Sequence, residues 1–401
     1  MFEFEIIKKC GDGRTAKFST SHGAILTPAF IPVATKAAVK TLTYNDVRRI
    51  GFPAVLANTY HLMLQPGAKL IKKLGGLHKF MDWRGPIFTD SGGYQVFSLG
   101  KGLEYGVGKV VIRDRGQGAE DKGREAKQKN KSLIKITDDG VEFRSHIDGE
   151  KICLRPEDSI KIQNDLGADI IFAFDECTSP TDNKKYVAES LKRTHEWARR
   201  SLRARKNINQ ALFGIVQGAE YRDLREKSAK FISALPFDGF GIGGSFGKNE
   251  MRNVLNWTIH FLPENKPRHL LGIGAVEDIF DAVERGMDTF DCVEPTRLGR
   301  HGMLLTASGK MRILNNKYRA DKNPVGKNCS CELCQKYSRS YLHHLFRANE
   351  MSGPRLATLH NLTFMHKLME GIRAAIDNKT FPKLKKKFLK NYGKGYLPPL
   401  C

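Results

Sequence analysis

The chain of 401 residues predicts an α/β protein, a closed (β/α)8 barrel of the TIM type, on three observations. Short apolar runs recur along it: AFIPVAT (29–35), AVLANTY (54–60), PIFTD (86–90), IIFAFDE (170–176), LFGIVQG (212–218), GFGIGGS (239–245), HLLGIG (269–274) and TFDCVE (289–294). Most lack polar alternation, as strands covered on both faces should. Amphipathic stretches such as 187–205 and 221–235 lie between them. Eight β-then-α units in this span fit the roughly 250 residues of a closed barrel, with an open doubly wound sheet as the alternative. Third, several runs end in a residue capable of chemistry or in glycine: Asp90, Asp175, Gln217, Gly243 and Gly244, Gly272 and Gly274, and Asp291. The C-terminal strand ends of such a barrel form its functional mouth, so these positions should converge there. Taken singly, each acid reads more readily as a helix N-cap, and it is their recurrence at corresponding places that favours a functional mouth.

Ahead of the barrel, residues 4–27 read as paired short strands, with turns at GDGR and SHGA. Residues 109–131 interrupt the rhythm with charge and glycine, which reads as a loop, either a lid, a basic arm or a plain insertion. The segment 383–400 is basic with interleaved aromatics, a weak nucleic-acid signal.

Lys and Arg number 66 against 43 Asp and Glu, a net charge of +23. That excess suits a polyanionic partner, nucleic acid or an anionic membrane surface, better than a small neutral metabolite. No charged-then-apolar leader precedes residue 30, and no run approaches the roughly 18 apolar residues of a membrane span. The expected location is the cytoplasm.

Of the 8 cysteines, Cys329, Cys331 and Cys334 crowd into six positions. In a reducing compartment, three thiolates at this spacing plus one imidazole make a closed tetrahedral zinc shell, and a shell with no open position is structural. His343, His344, His360 and His366 all lie within reach as the fourth ligand. A small zinc-binding subdomain near the C-terminus follows, with the barrel over 1–320, the subdomain over 321–365 and a helix with a basic tail over 366–401.

The string GFGIGG matches a dinucleotide fingerprint only formally. It lies late in the barrel, and residue 259, twenty on from its first glycine, is Ile among apolar neighbours, with the next acid at Glu264. Gly243 and Gly244 read better as letting backbone N–H groups approach a flat ligand. DSGGYQVFS (90–98) adds an acid, flexible backbone and an aromatic face after a strand. Two separated carboxylates, Asp90 and Asp291, suffice to break a glycosidic bond, one attacking the anomeric carbon and the other moving protons. Asp175 could accept N–H groups from a guanine-like edge. Arg297 and Arg300, just after Asp291, are potential phosphate ligands.

DSGGYQVFS, FDECT (174–178), GIVQG (214–218), GIGGS (241–245) and FDCVEPTRLGRHG (290–302), with the CxCxxC run and a distant His, resemble tRNA-guanine transglycosylase of the bacterial type, also called queuine tRNA-ribosyltransferase. The likeness extends from TPAFIPVAT (27–35) through NTYHLMLQPG (58–67) to the cysteines. It implies a TIM barrel with a structural zinc, one ion per subunit, held by Cys329, Cys331, Cys334 and His360. It further implies Asp291 as the nucleophile on the ribose C1′ of guanosine at the wobble position of U-G-U anticodons, and Asp90 as general acid/base. Asp175, Gln217 and the Gly244 backbone would bind the purine edge, with Tyr94 and Leu271 on its faces; Leu271 stands where the family usually has Met. Arg297 and Arg300 would contact the anticodon loop. The partners implied are tRNA, a free 7-deazaguanine base (preQ1 or queuine) and a second copy of the chain in a homodimer, without a membrane. Two departures stand out. Ser245 to Asn249 replace the usual Leu-Ala/Ser-Val-Gly-Glu, and Gly247 would enlarge the pocket as in queuine-using members, whereas Cys177 matches preQ1-type enzymes. The insertion at 109–131 is longer than the family norm.

Overall fold

The computed structural model describes residues 2–97, 134–244 and 248–393. Eight parallel strands close into a barrel in simple chain order: β1 (Ala29–Ala34), β2 (Val55–Ala57), β3 (Ile87–Thr89), β4 (Ile170–Phe172), β5 (Ala211–Val216), β6 (Gly239–Ile242), β7 (Arg268–Leu270) and β8 (Thr289–Cys292). The ring closes where Asp291 of β8 lies opposite Ile31 of β1, and β3 completes it by pairing Phe88 with Ile170 of β4. All eight strands fall within the apolar runs of the sequence to within one residue. Each is covered by the barrel interior on one side and by helices on the other, which is why its sequence shows no polar alternation.

Inside the barrel, Ile31, Phe88, Phe172 and Phe213 pack together with Phe18 and Ile25 of an antiparallel sheet formed by Glu3–Cys10, Gly13–Thr20 and Gly23–Thr27. This sheet plugs the floor, the N-terminal end of the strands. Arg14 of the sheet is 1% exposed and grips Asp288, the residue just before β8, through Nε at 2.9 Å and Nη2 at 2.6 Å. Such fork-on-fork pairing fixes the plug's orientation as well as its charge.

A second antiparallel sheet, Ile134–Ile136, Val141–Arg144 and Lys151–Leu154, stands before β4 and packs Val141, Phe143 and Leu154 against Phe97, Phe174 and Trp197. It interrupts one βα unit with strands too short to carry a sequence signal. The insertion at 109–131 lies outside the described residues, as do Ser245 to Gly247 and the end of the basic tail. After β8 come a short helix (Glu294–Arg300), a hairpin (Met303–Thr306 with Gly309–Arg312), a small core around Cys331, Cys334, Leu342 and Leu356, and a long helix, Ser352–Asp377. That helix runs from the small core back onto the barrel, where Arg373 donates to the Pro28 carbonyl at 2.8 Å. The inferred boundary at residue 365 thus falls inside one continuous helix. No helix among the described residues is long and apolar enough to cross a membrane.

Candidate active site

Strand geometry brings the chemistry-bearing residues to one end of the barrel. Asp90 follows β3, Asp175 follows β4, Gln217 follows β5, Gly243 and Gly244 follow β6, Leu271 follows β7, and Asp291 is the penultimate residue of β8. Asp90 is held from its flank. The Thr59 N–H donates to Oδ1 at 2.8 Å and the Asn58 amide donates to Oδ2. Burial pushes its pKa up to about 7, against the Thr59 bond and with help from the charges of Asp291 and Asp175. A carboxyl group poised near neutrality can both give and take a proton at working pH. Asp175, also buried, accepts from Ser91 Oγ at 3.1 Å and from Gln217 Nε2 at 2.6 Å, and burial raises it to about 6. Asp291 accepts at Oδ1 from the Gly272 N–H at 2.9 Å, with His269 Nε2 at 3.1 Å from the same oxygen.

Between these acids lies a polar cradle. The Oε1 of Gln217 is buried with no hydrogen-bond partner among the described residues, an acceptor left open to a ligand donor. Gly244 has φ +121°, and a Cβ there would come within 3.2 Å of that same Oε1 and 2.5 Å of Arg225 Nη2. No side chain other than glycine's fits, so the backbone itself lines the cradle. Arg225, fully buried, donates to the carbonyls of Val216, Ala219 and Gly243, tying the strand ends of β5 and β6 together. Leu271 is half-buried against the interior cluster, while Tyr94 is 56% exposed at the rim. The array can therefore hold a flat, hydrogen-bonding ring between an open carboxylate and a proton-carrying one.

The cysteines gather as the spacing requires. The Sγ atoms of Cys329, Cys331 and Cys334 lie 3.7, 3.4 and 3.3 Å from Nδ1 of His360. Zn–S near 2.3 Å and Zn–N near 2.0 Å in a tetrahedron set sulfur and nitrogen roughly 3.5 Å apart. The measured values straddle that separation, so these four residues form a cluster able to hold a metal ion. His360 Nε2 donates to the Leu305 carbonyl at 2.9 Å, which leaves Nδ1 as the ligand atom. N–H groups of Gly326 and Cys334 point at the sulfurs of Cys334 and Cys331. The other candidates are otherwise engaged: His343 Nδ1 faces the Ile313 carbonyl and His366 packs on Phe52 beside Glu370.

The profile of the Queuine tRNA-ribosyltransferase family matches residues 9–120 and 119–394. The chain belongs to this family. It is 50% identical over 388 residues to a "Putative queuine tRNA-ribosyltransferase" of Archaeoglobus fulgidus, covering 94% of this chain and 96% of the relative. It is 46% identical to the queuine tRNA-ribosyltransferases of Staphylococcus haemolyticus, covering 97% of this chain and 96% of that one, and of Roseiflexus sp., covering 97% and 98%. The queuine tRNA-ribosyltransferase family is one of pentosyl-transferring enzymes, and this chain is such a transferase.

In this family member, Arg297 and Arg300 stand on the short helix directly beyond Asp291, Arg297 exposed and Arg300 half-buried. Arg300 is lowered from its ordinary pKa by burial and by Arg297, and its buried Nη1 has no hydrogen-bond partner among the described residues. The helix is clamped from behind. A Cβ at Gly299 would meet the Thr358 backbone at 2.8 Å, and Asn361, next to His360, donates to the carbonyls of Pro295 (3.0 Å) and Met303 (2.9 Å) while accepting from Leu305 N–H (2.8 Å).

The sequence reading missed the supports: Asn58 and Thr59 under Asp90, Ser91 under Asp175, Arg225 behind the glycines, and His269 under Asp291. Thr59 and Asn58 sit in the quoted run NTYHLMLQPG, and His269 is a polar residue inside an apolar strand run, which was the available signal.

Proposed function

We propose that this chain exchanges guanine at the wobble position, position 34, of U-G-U anticodon tRNAs for a 7-deazaguanine base, preQ1 or queuine, as a step in queuosine biosynthesis. The observation that carries the reading is the pairing, at one barrel mouth, of an acid held near neutrality, Asp90, with a second carboxylate, Asp291, that has one oxygen unengaged among the described residues. Asp291 attacks C1′ of the ribose as the bond from C1′ to the base breaks. The electron pair of that bond leaves with guanine, which takes a proton from Asp90. The incoming base then gives its proton to Asp90, attacks C1′ and returns the electron pair of the ester bond to Asp291. Asp175, Gln217 and the Gly244 backbone hydrogen-bond the purine edge, with Tyr94 and Leu271 against its faces. Arg297 and Arg300 hold phosphates of the anticodon loop, in keeping with the net charge of +23.

Cys329, Cys331, Cys334 and His360 would hold one structural zinc ion per subunit, which when bound fixes the fold of residues 321–365 and takes no part in the chemistry. The barrel spans 1–320, and residues 366–401 return to complete it. The enzyme works in the cytoplasm as a homodimer. A second reading, a catalytically silent tRNA-binding subunit, is disfavoured because such a subunit has no need of both Asp90 and Asp291 at one mouth.

The test is incorporation of radiolabelled guanine into tRNA carrying guanine at position 34, competed separately by preQ1 and by queuine. Incorporation suppressed by one of the two identifies the incoming base. Binding of tRNA without any incorporation would replace exchange with the silent-subunit reading.

A further inference from the structure

Behind Asp291 lies a relay of side chains that the sequence motifs do not announce. His269 is the central residue of β7 and lies opposite Thr289 in the ladder with β8. Thr289 and Asp291 are two residues apart on β8, so their side chains share a face, and His269 bridges them. Its ring is 0% exposed and confined between Phe88, 5.6 Å away and stacked at 29°, and Phe172, 5.3 Å away. Nδ1 lies 2.9 Å from Thr289 Oγ1, and Nε2 lies 3.1 Å from Asp291 Oδ1.

The proton positions follow from the partners. A nitrogen lone pair facing an ionised carboxylate is repulsive, so Nε2 carries the hydrogen and donates it to Asp291. Nδ1 then accepts, and the Thr289 hydroxyl donates to it, which fixes the tautomer. Gly272 N–H donates to the same Oδ1 at 2.9 Å. Oδ2 accepts no hydrogen bond among the described residues.

We propose that His269 is a positioning residue that, with the Gly272 N–H, pins Oδ1 of Asp291 and thereby makes Oδ2 the atom that attacks the sugar. This rests on the reading of Asp291 as the nucleophile. When Oδ2 bonds to C1′, Oδ1 becomes the carbonyl oxygen of the ester and keeps both donors. When the incoming base displaces the ester, the electron pair of the C1′–Oδ2 bond returns to the carboxylate, and the same two N–H groups stabilise the charge that develops there. The donors are in place before the reaction and cost no reorganisation during it. Thr289 serves one step further back, by holding the imidazole in the tautomer that donates.

A buried histidine that only fills the barrel would make a different prediction, so three variants of the full-length protein separate the two roles. His269→Phe keeps the ring and removes the donor, His269→Gln restores an N–H at the reach of Nε2, and Thr289→Val removes the hydroxyl at constant shape. The readouts are the single-turnover rate of covalent tRNA adduct formation on denaturing gels and, separately, tRNA affinity. His269→Phe frees Oδ1 and misplaces Oδ2, and is expected to slow adduct formation by about 10²-fold, the scale of displacing a reacting atom by about 1 Å, with tRNA affinity unchanged. His269→Gln should recover much of that loss, and Thr289→Val should fall between the two. A wild-type rate in His269→Phe, or a His269→Gln protein that folds yet reacts no faster than His269→Phe, overturns the proposal. Should His269→Phe fail to fold, Thr289→Val decides: a slowed rate in a folded protein supports the relay and a wild-type rate overturns it. Asp291→Asn run alongside keeps the two readings apart. An adduct that persists in Asp291→Asn removes the nucleophile itself, whereas its loss there together with a normal rate in His269→Phe removes only the relay.

Discussion

The two ends of this barrel use the same residue type for opposite purposes. At the floor, Asp288 is gripped by the Arg14 guanidinium, and Asp169 accepts from His22 Nδ1 at 2.7 Å, from His78 Nε2 at 3.1 Å and from the Ile87 N–H at 2.9 Å. Burial alone would raise Asp169, yet the bonds from His78 and His22 hold it below its ordinary value. At the mouth, Asp175 is buried and Asp90 partly so; both meet only neutral donors, and both are pushed upward. The floor matches its acids with bases and so fixes the plug on the barrel. At the mouth, acids are buried without counter-charge, and their appetite for protons and N–H donors is left for a ligand to satisfy. Positive charge at that end is either engaged with backbone carbonyls behind the glycines, on Arg225, or stands at the rim, on Arg297 and Arg300.

The strongest test of this contrast is Asp291→Asn. The covalent tRNA adduct should disappear from denaturing gels and exchange should fall about 10⁴-fold or more, the scale of removing a nucleophile, while the melting temperature holds; a surviving adduct would sink the assignment. At the floor the effects should reverse. Arg14→Ala strands Asp288 as an unpaired buried charge and should cost about 3–5 kcal/mol of stability, read by denaturant unfolding, with exchange per folded molecule unchanged. A loss of activity without loss of stability would show that the two ends are not separable. A milder effect is expected from pH. Asp90, with its value near 7, is protonated below and ionised above it. Adduct formation needs the acid form and should fall as pH rises through about 7, whereas uptake of base by the preformed adduct needs the ionised form and should rise over the same window. Parallel profiles for the two half-reactions would exclude Asp90 as the shared group. The smallest change belongs to the rim. Arg297→Ala should reduce the slope of log affinity for tRNA against log salt by about one phosphate contact, and an unchanged slope would move the anticodon-loop footprint elsewhere.

Much of the barrel was readable because parallel strands covered on both faces leave uninterrupted apolar runs, and because a residue at the end of such a run lies at the mouth end of the barrel. Asp90, Asp175, Gln217 and Asp291 were legible for that reason. Their supports were not. Ser91 and Thr59 look like ordinary turn and cap residues, Arg225 lies on a helix whose charged face reads as solvent-exposed, and His269 sits where a barrel filler would. What these residues do depends on partners tens or hundreds of positions away, which no local pattern records. The cysteine spacing predicted a metal shell but could not choose among four histidines. Only the packing of the long helix brings His360, and not His343 or His366, to the three sulfurs.

His360 and Asn361 are neighbours on that helix, one turned to the cysteines and the other stapled to the segment that carries Arg297 and Arg300. Two adjacent residues thus join the cluster able to hold a metal ion to the helix proposed to contact tRNA. On that proposal, slackening the cluster would first blur which nucleic acid the enzyme grips, with the barrel's carboxylates still in register. On the proposed reading, a bound ion would contribute to fidelity of address, and loss of metal would weaken selection of tRNA before it removed the capacity to exchange a base.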